Sequence, residues 1–253
     1  MRPLRFLAPA MVAVAITTLP AAAASISDAQ RSEIEGIIKN YLITHPEVLE
    51  EASNELSKRQ AAADAQKHRD AVQKNAELLF NSPRSVLLGN RNGDVNFVEF
   101  FDYNCGYCKR AMIDMLDLMR NDPKLRVILK EFPVLGQSSV DAARVAVAVR
   151  MQDPSGAKYL DFHQRLLSGR GQADKARALQ AAKEAGLDMN RLEKDLVSPE
   201  IDATLTENMK IAEDMGLNGT PSYVIGKEVV IGAIGREGLS SKISEARCGK
   251  ATC

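Results

Sequence analysis

The stretch Phe97-Val98-Glu99-Phe100-Phe101-Asp102-Tyr103-Asn104-Cys105-Gly106-Tyr107-Cys108 decides how this 253-residue chain is read. Residues 97–101 are apolar at every position but Glu99, as a strand buried on both faces requires. The Cys-x-x-Cys then opens the stretch CGYCKRAMIDMLDLMRN, which has helical character and stops at Asp122-Pro123. A cysteine at a helix N-terminus faces unpaired N–H groups and the positive end of the helix dipole, and both favour its thiolate. The thiolate is the attacking species in disulfide exchange. Cys108, three residues on, lies on the same side of the helix. Cys105 is therefore expected to be the exposed nucleophile and Cys108 the more buried resolving thiol. A plain structural disulfide is the competing reading, and the order strand, Cys-x-x-Cys, helix argues for a redox pair instead.

Three further elements bear on chemistry. Glu99 is the lone ionisable group of its strand, six residues before Cys105. A buried carboxyl has a raised pKa unless it is paired, and one placed under Cys108 could relay that thiol's proton. The other reading is an ordinary edge-facing glutamate. Lys130 interrupts the next strand, LRVILKEF, and is a candidate partner for Glu99 in that relay. Thr220-Pro221 precedes the strand SYVI, and X–Pro bonds are the usual place for a cis peptide. A cis bond there would offer the Thr220 backbone to an extended substrate beside Cys105, whereas a trans proline would make it an ordinary turn. Cys248 and Cys253, in RCGKATC, are close enough in sequence for a small structural disulfide; a second redox pair serving Cys105 and Cys108 is the alternative.

Around these residues the chain alternates strand and helix. SVLLGN and VNFVEFF read as strands joined across Asn92-Gly93, a hairpin signal. Residues 138–151 and at least three stretches within 156–216 read as helices. SYVI and EVVIGAI close the unit as strands around Gly226-Lys227, followed by a helix over 236–247. With the helical block set aside, a compact α/β unit remains.

The N-terminal part differs in kind. Residues 1–24 combine Arg2 and Arg5 with an apolar run and small residues at 21–24, the pattern of a secretory signal peptide; the run falls short of the ~20 residues a membrane span needs. Ile34, Ile37, Ile38, Tyr41 and Leu42 form an apolar stripe at helical spacing behind a Ser27 cap. Thr44 and Glu47 have the spacing of a capping box, which predicts a second helix with Val48, Leu49, Ala52 and Leu56 on its stripe. Between residues 57 and 77 the stripe fades into an Ala-, Gln-, Lys- and Arg-rich helical linker. An isolated apolar stripe needs a partner, either its own domain or another copy of itself; self-assembly through residues 27–56 is the reading adopted. Lys plus Arg and Asp plus Glu both number 33, so nothing points to nucleic acid as a partner. Four cysteines in an exported chain suit an oxidising compartment. The three histidines are scattered away from the cysteines, which argues against zinc.

Taken together, FVEFFDYNCGYC, the helical block after FPVLGQSS, and GTPSYVIG resemble the DsbA-like periplasmic thiol–disulfide oxidoreductases. The resemblance covers about residues 85–247. It implies an α/β thioredoxin fold with an inserted helical domain, here about residues 138–205 of a catalytic domain spanning 85–253. That domain would follow a linker at 57–84 and an N-terminal helical oligomerisation region at 25–56. It also implies Cys105 as nucleophile, Cys108 as its partner, Glu99 as the buried acid and Pro221 as the cis-proline. Strong oxidases of this family carry Pro-His between the cysteines and Val before the cis-proline, where this chain has Gly106-Tyr107 and Thr220. That departure is similar to the DsbC-type isomerases, and it removes a cation that would stabilise the Cys105 thiolate. A helical extension ahead of a DsbA-like domain is similar to the ScsC (suppressor of copper sensitivity) type, some members of which self-associate through it. The resemblance implies a periplasmic disulfide isomerase or reductase acting on protein thiols and disulfides, served by a membrane-embedded electron donor, assembled as a dimer or trimer, and needing no cofactor. A monomeric dithiol oxidase is one rival reading. A holdase or copper-binding protein, with Cys105 and Cys108 as soft Cu(I) ligands, is another.

Overall fold

The computed structural model describes residues 26–253, so the signal-peptide reading of residues 1–24 lies outside the described residues. Among the described residues no helix is long and apolar enough to cross a membrane. The chain divides into two units at Ser57/Lys58, inside one long helix.

The first unit contains α1 (Asp28–Thr44) and the start of α2 (Glu47–Lys74). Ser27 and Gln30 make a reciprocal capping box at the start of α1. The capping box expected at Thr44 does not form. Thr44 is the last residue of α1, and its hydroxyl donates back to the Asn40 carbonyl at 2.8 Å and the Tyr41 carbonyl at 3.2 Å. A threonine hydroxyl in a helix reaches the preceding turn more easily than the next helix. No residue of α1 is buried; Ile37 is 63% exposed, and Ile34, Ile38, Tyr41, Leu49 and Leu56 are exposed as well.

The second unit is built on a five-stranded sheet of order β1-β3-β2-β4-β5. Its strands are β1 (Val86–Gly89), β2 (Val95–Phe101), β3 (Leu125–Glu131), β4 (Ser222–Ile225) and β5 (Glu228–Ile231). β2 runs parallel to β3, and every other pairing is antiparallel. The expected hairpin between β1 and β2 is absent because β3 lies between them. The Asn92-Gly93 turn carries the chain past the start of β3, where Asp94 N donates to Lys124 O at 2.9 Å. A Cβ on Gly93 would stand 2.5 Å from that same carbonyl.

Strand register assigns side chains to two faces, because alternate residues point oppositely. Phe97, Phe101, Leu129 and Tyr223 share one core with Met112 and Met115 of α4 (Gly106–Asn121) and Leu239 and Ile243 of α10 (Gly235–Cys248). Val98, Phe100, Ile128 and Val224 share the other with Leu79 of α3 (Ala76–Phe80) and Val72 near the end of α2. The linker therefore ends docked: Val72 and Leu79 are core residues. Fully burying one such side chain stabilises the fold by about 1.5–3 kcal/mol.

The helices α5 (Gln137–Gln152), α6 (Ala157–Ser168), α7 (Lys175–Glu184), α8 (Met189–Asp195) and α9 (Pro199–Asp214) separate β3 from β4. The expected boundary near residue 205 falls within α9. Ile201 and Leu205 pack in the first core, whereas Ile211 and Ala212 pack in the second. This one helix leaves the inserted bundle and finishes on the sheet.

Candidate redox site

Cys105 is the N-cap of α4, and its own side chain makes no cap bond. Both Cys105 and Cys108 are free thiols and both are buried: Cys105 is 6% exposed rather than open to solvent as expected, because Thr220 covers it, and Cys108 is the more buried of the two. Cys105 Sγ donates to the Thr220 carbonyl at 3.1 Å, and the Thr220–Pro221 bond is cis. The Cys105 thiol is held down to about 5, first by a hydrogen bond from Cys108, against the cost of its burial. The Thr220 side chain and the N–H groups of Cys108 and Tyr107 assist. Cys108 is pushed the opposite way, by that same hydrogen bond and by full burial. One sulfur is thus prepared to attack while the other keeps its proton. The absence of a histidine between the cysteines does not prevent this, because neutral donors at hydrogen-bond range supply the stabilisation.

Glu99 is 3% exposed on the same face of the sheet as the α4 packing residues. Burial raises its carboxyl to about 8, and the nearby charges of Cys105 and Asp114 act in the same direction. Its own charge acts on Cys108 in turn. Its cross-strand neighbour is Tyr223, whose hydroxyl is also pushed up by burial.

Lys130 does not join this group. Glu99 pairs with Leu129 in register and Lys130 pairs with Phe100, which puts the two side chains on opposite faces of the sheet. Lys130 is fully buried on the far face, donating to Leu78 O at 2.9 Å and Ser85 Oγ at 3.0 Å, with Glu207 at 3.9 Å. Desolvation lowers it to about 8. Cys248, the last residue of α10, is disulfide-bonded to Cys253 beyond it.

Several residues of the site escaped the sequence reading. Asp102, 1% exposed, accepts from the N–H groups of Asn104, Val134 and Leu135 at 2.8–2.9 Å. Tyr103 is buried between the sheet and α6, its hydroxyl 3.2 Å from that of Tyr159 and 3.3 Å from His163 Nδ1. The available signal was position: Asp102, Tyr103 and Asn104 directly precede Cys105. Nothing comparable marked Tyr223 or Asp114, which reach Glu99 only through the fold. Among the described residues there is no cluster of three or more His, Cys, Asp or Glu able to hold a metal ion.

Residues 97–244 match the DSBA-like thioredoxin domain, and residues 30–63 match the copper resistance protein ScsC N-terminal domain. A thioredoxin-like oxidoreductase from Silicibacter pomeroyi is 42% identical, with a TM-score of 0.64 over 68% of this chain and 96% of that one. ScsC of Proteus mirabilis in a transitional conformation is 29% identical, with a TM-score of 0.65 over 90% of this chain and all of that one. The thiol-disulfide exchange protein alpha-DsbA2 of Wolbachia pipientis is 28% identical, with a TM-score of 0.67 over 73% of this chain and 97% of that one. The chain spans a quarter of the length of the curated relatives it matches, Na(+)/H(+) antiporters of Salinispora, one at 25% identity over 166 residues. The match covers more than half of the sequence and includes the strand, the paired thiols and the strand after Pro221, so this chain belongs to the DSBA-like thioredoxin-domain family.

Proposed function

We propose that the protein is a periplasmic disulfide isomerase and reductase that assembles through its N-terminal extension. The observation that carries this reading is the exposed apolar stripe of α1, within a segment that resembles the ScsC N-terminal domain. Ile34, Ile37, Ile38 and Tyr41 stay exposed to solvent in their own unit, and a second copy of the same stripe would bury them. Several active sites facing one client suit repeated reshuffling of its disulfides.

In the reaction the Cys105 thiolate attacks one sulfur of a client disulfide. The client S–S bond breaks, a mixed disulfide forms, and the second client sulfur leaves as a thiolate that takes up a proton. A different client thiolate can then attack the mixed disulfide and expel Cys105, so the client is rearranged with no net redox change. Alternatively Cys108 loses its proton to the Glu99 carboxylate and attacks Cys105 Sγ. That step releases the client as a dithiol, carrying two electrons, and leaves Cys105 bonded to Cys108. A membrane-embedded donor would return the pair to the dithiol.

A second reading has its own support. A thiolate held down to about 5 stabilises the dithiol form, which makes the Cys105–Cys108 disulfide more oxidising and favours a dithiol oxidase. Reactivation of scrambled ribonuclease separates the two. Deleting residues 26–57 keeps Val72 and Leu79 in the core. The isomerase reading expects the full chain to reactivate and the deletion to fail while both still reduce insulin. Oxidation of reduced ribonuclease by both forms, with reactivation by neither, would establish the oxidase.

A further inference from the structure

The two residues that flank the CGYC motif are tied to the same short segment. Asn104, just before Cys105, makes a two-way pair with the Ala173 backbone. Its Nδ2 donates to Ala173 O at 3.0 Å, and its Oδ1 accepts from Ala173 N at 2.8 Å. Asn104 Nδ2 also donates to the buried Ser139 Oγ at 3.0 Å. Lys109, just after Cys108, donates to Gly169 O at 3.0 Å. Residues 169–173 connect α6 to α7 and have no helix or strand of their own. They are propped from behind by Arg177 of α7, which donates to Arg170 O and, at 3.4 Å, to Gln172 O. A Cβ on Gly169 would collide with that guanidinium.

We propose that residues 169–173 form a strap that grips the CGYC turn from both ends, making Asn104 and Lys109 positioning residues for the Cys105 sulfur. The proposal rests on Cys105 being the attacking thiol. The physical argument concerns range. The groups that favour the Cys105 thiolate act through hydrogen bonds, which weaken steeply as distance and angle degrade. Cys105 contributes no cap bond of its own, and its N–H reaches only Asp102 O, at 3.1 Å. Beyond the bond of its sulfur to Thr220 O, the turn that carries Cys105 is held by the residues on either side of the motif. The side chains of those residues are set by the helical insertion. In this arrangement the insertion is part of the apparatus that tunes the nucleophile.

The test is the pH dependence of iodoacetamide alkylation of the reduced full-length chain, run beside thermal melting. Asn104→Ala should move the alkylation midpoint upward by about one unit, roughly tenfold less thiolate below the midpoint. Gly169→Ala, which displaces the Arg177 prop without touching the motif, should move it in the same direction, and it serves if Asn104→Ala does not fold. Lys109→Met should raise the midpoint by less, and Lys109→Arg, which can still reach the Gly169 carbonyl, should restore it. Folded Asn104→Ala or Gly169→Ala proteins with an unmoved midpoint would overturn the strap, as would a shift confined to Lys109→Met, which reports charge alone. Cys105→Ser separates the two ideas. If the low-pH alkylation survives in that variant, the assignment of the nucleophile fails along with the strap. If it is lost there while the strap variants stay unshifted, only the strap fails.

Discussion

Glu99 and Lys130 sit on adjacent parallel strands, both almost wholly buried and both ionisable, yet their surroundings are opposite. Lys130 is surrounded by acceptors: Leu78 O, Ser85 Oγ, Asn208 Oδ1 at 3.5 Å and Glu207. Glu207 is in turn held by Arg84 at 3.0 Å and accepts from Ser82 Oγ at 2.5 Å. Burial raises Glu99 most, and the charges that reach it, those of Cys105 and Asp114, raise it further. A buried charge whose partners are all supplied is a structural device. A buried acid without them is left able to exchange a proton near neutral pH. Burial is common to both, and what separates them is partnership.

The largest expected effect breaks the far face. Lys130→Ala strands the Leu78 carbonyl and weakens the cluster around Glu207, and should cost about 3 kcal/mol, read as a lower urea midpoint. An unchanged midpoint would mean the Lys130 cluster does not stabilise the fold. Glu99→Gln should do the reverse. It removes a buried ionisable group without loss of shape, leaves the urea midpoint unchanged below pH 4.5 and raises it at neutral pH, and slows Cys108 attack on a mixed disulfide by about 10²-fold in quenched-flow assays. A Glu99→Gln protein that resolves the mixed disulfide at the normal rate would remove the proton-relay role.

The comparison sharpens in pH. Glu99 has its folded value raised from 4.5 to about 8, so between these values the folded chain keeps a proton that the unfolded chain has released. Stability contributed by Glu99 is complete below pH 4.5 and declines up to pH 8, by about 1.4 kcal/mol per unit at most. Cys105 acts with the opposite sign, adding stability as pH rises from about 5 towards 9, so the measurement belongs in a Cys105→Ser background. There Glu99→Gln should become progressively more stable than its parent as pH rises from 4.5 to 8, with His163 and Glu131 contributing equally to both, whereas a difference that does not change with pH would contradict the raised carboxyl. The smallest effect belongs to the surface. Lys74, 68% exposed, pairs with Asp214 at 3.0 Å, and Lys74→Ala should change stability by no more than about 1 kcal/mol.

Much of this molecule was legible in one dimension. The apolar run at 97–101, the paired cysteines at the next helix start, and Thr220-Pro221 before a strand are local patterns with local causes. The helical block was equally visible as helical stretches, and the structure adds their caps: Asp174, Asp188 and Ser198 each accept from the first turn of α7, α8 and α9. The hairpin was misread because two distant segments had to meet, and the Thr44 cap for a purely local reason. Asn92-Gly93 does make a turn, but nothing local announces that β3 will slide between the strands it connects. Thr44 has the spacing of a cap, but its hydroxyl had a nearer acceptor in the turn behind it.

The sequence by itself determined which residues could perform thiol chemistry and the order of the elements that carry them, because helix starts, strand periodicity and cysteine spacing are set by neighbours a few positions away. Only the tertiary structure decided that Glu99 and Lys130 turn from each other. Register between β2 and β3 assigns each side chain to a face, and a single residue of offset reverses it. Tertiary structure alone also placed Tyr223 beside Glu99 and residues 169–173 across the redox motif, since those contacts join segments 60 to 124 positions apart whose meeting depends on how the whole sheet and its insertion pack.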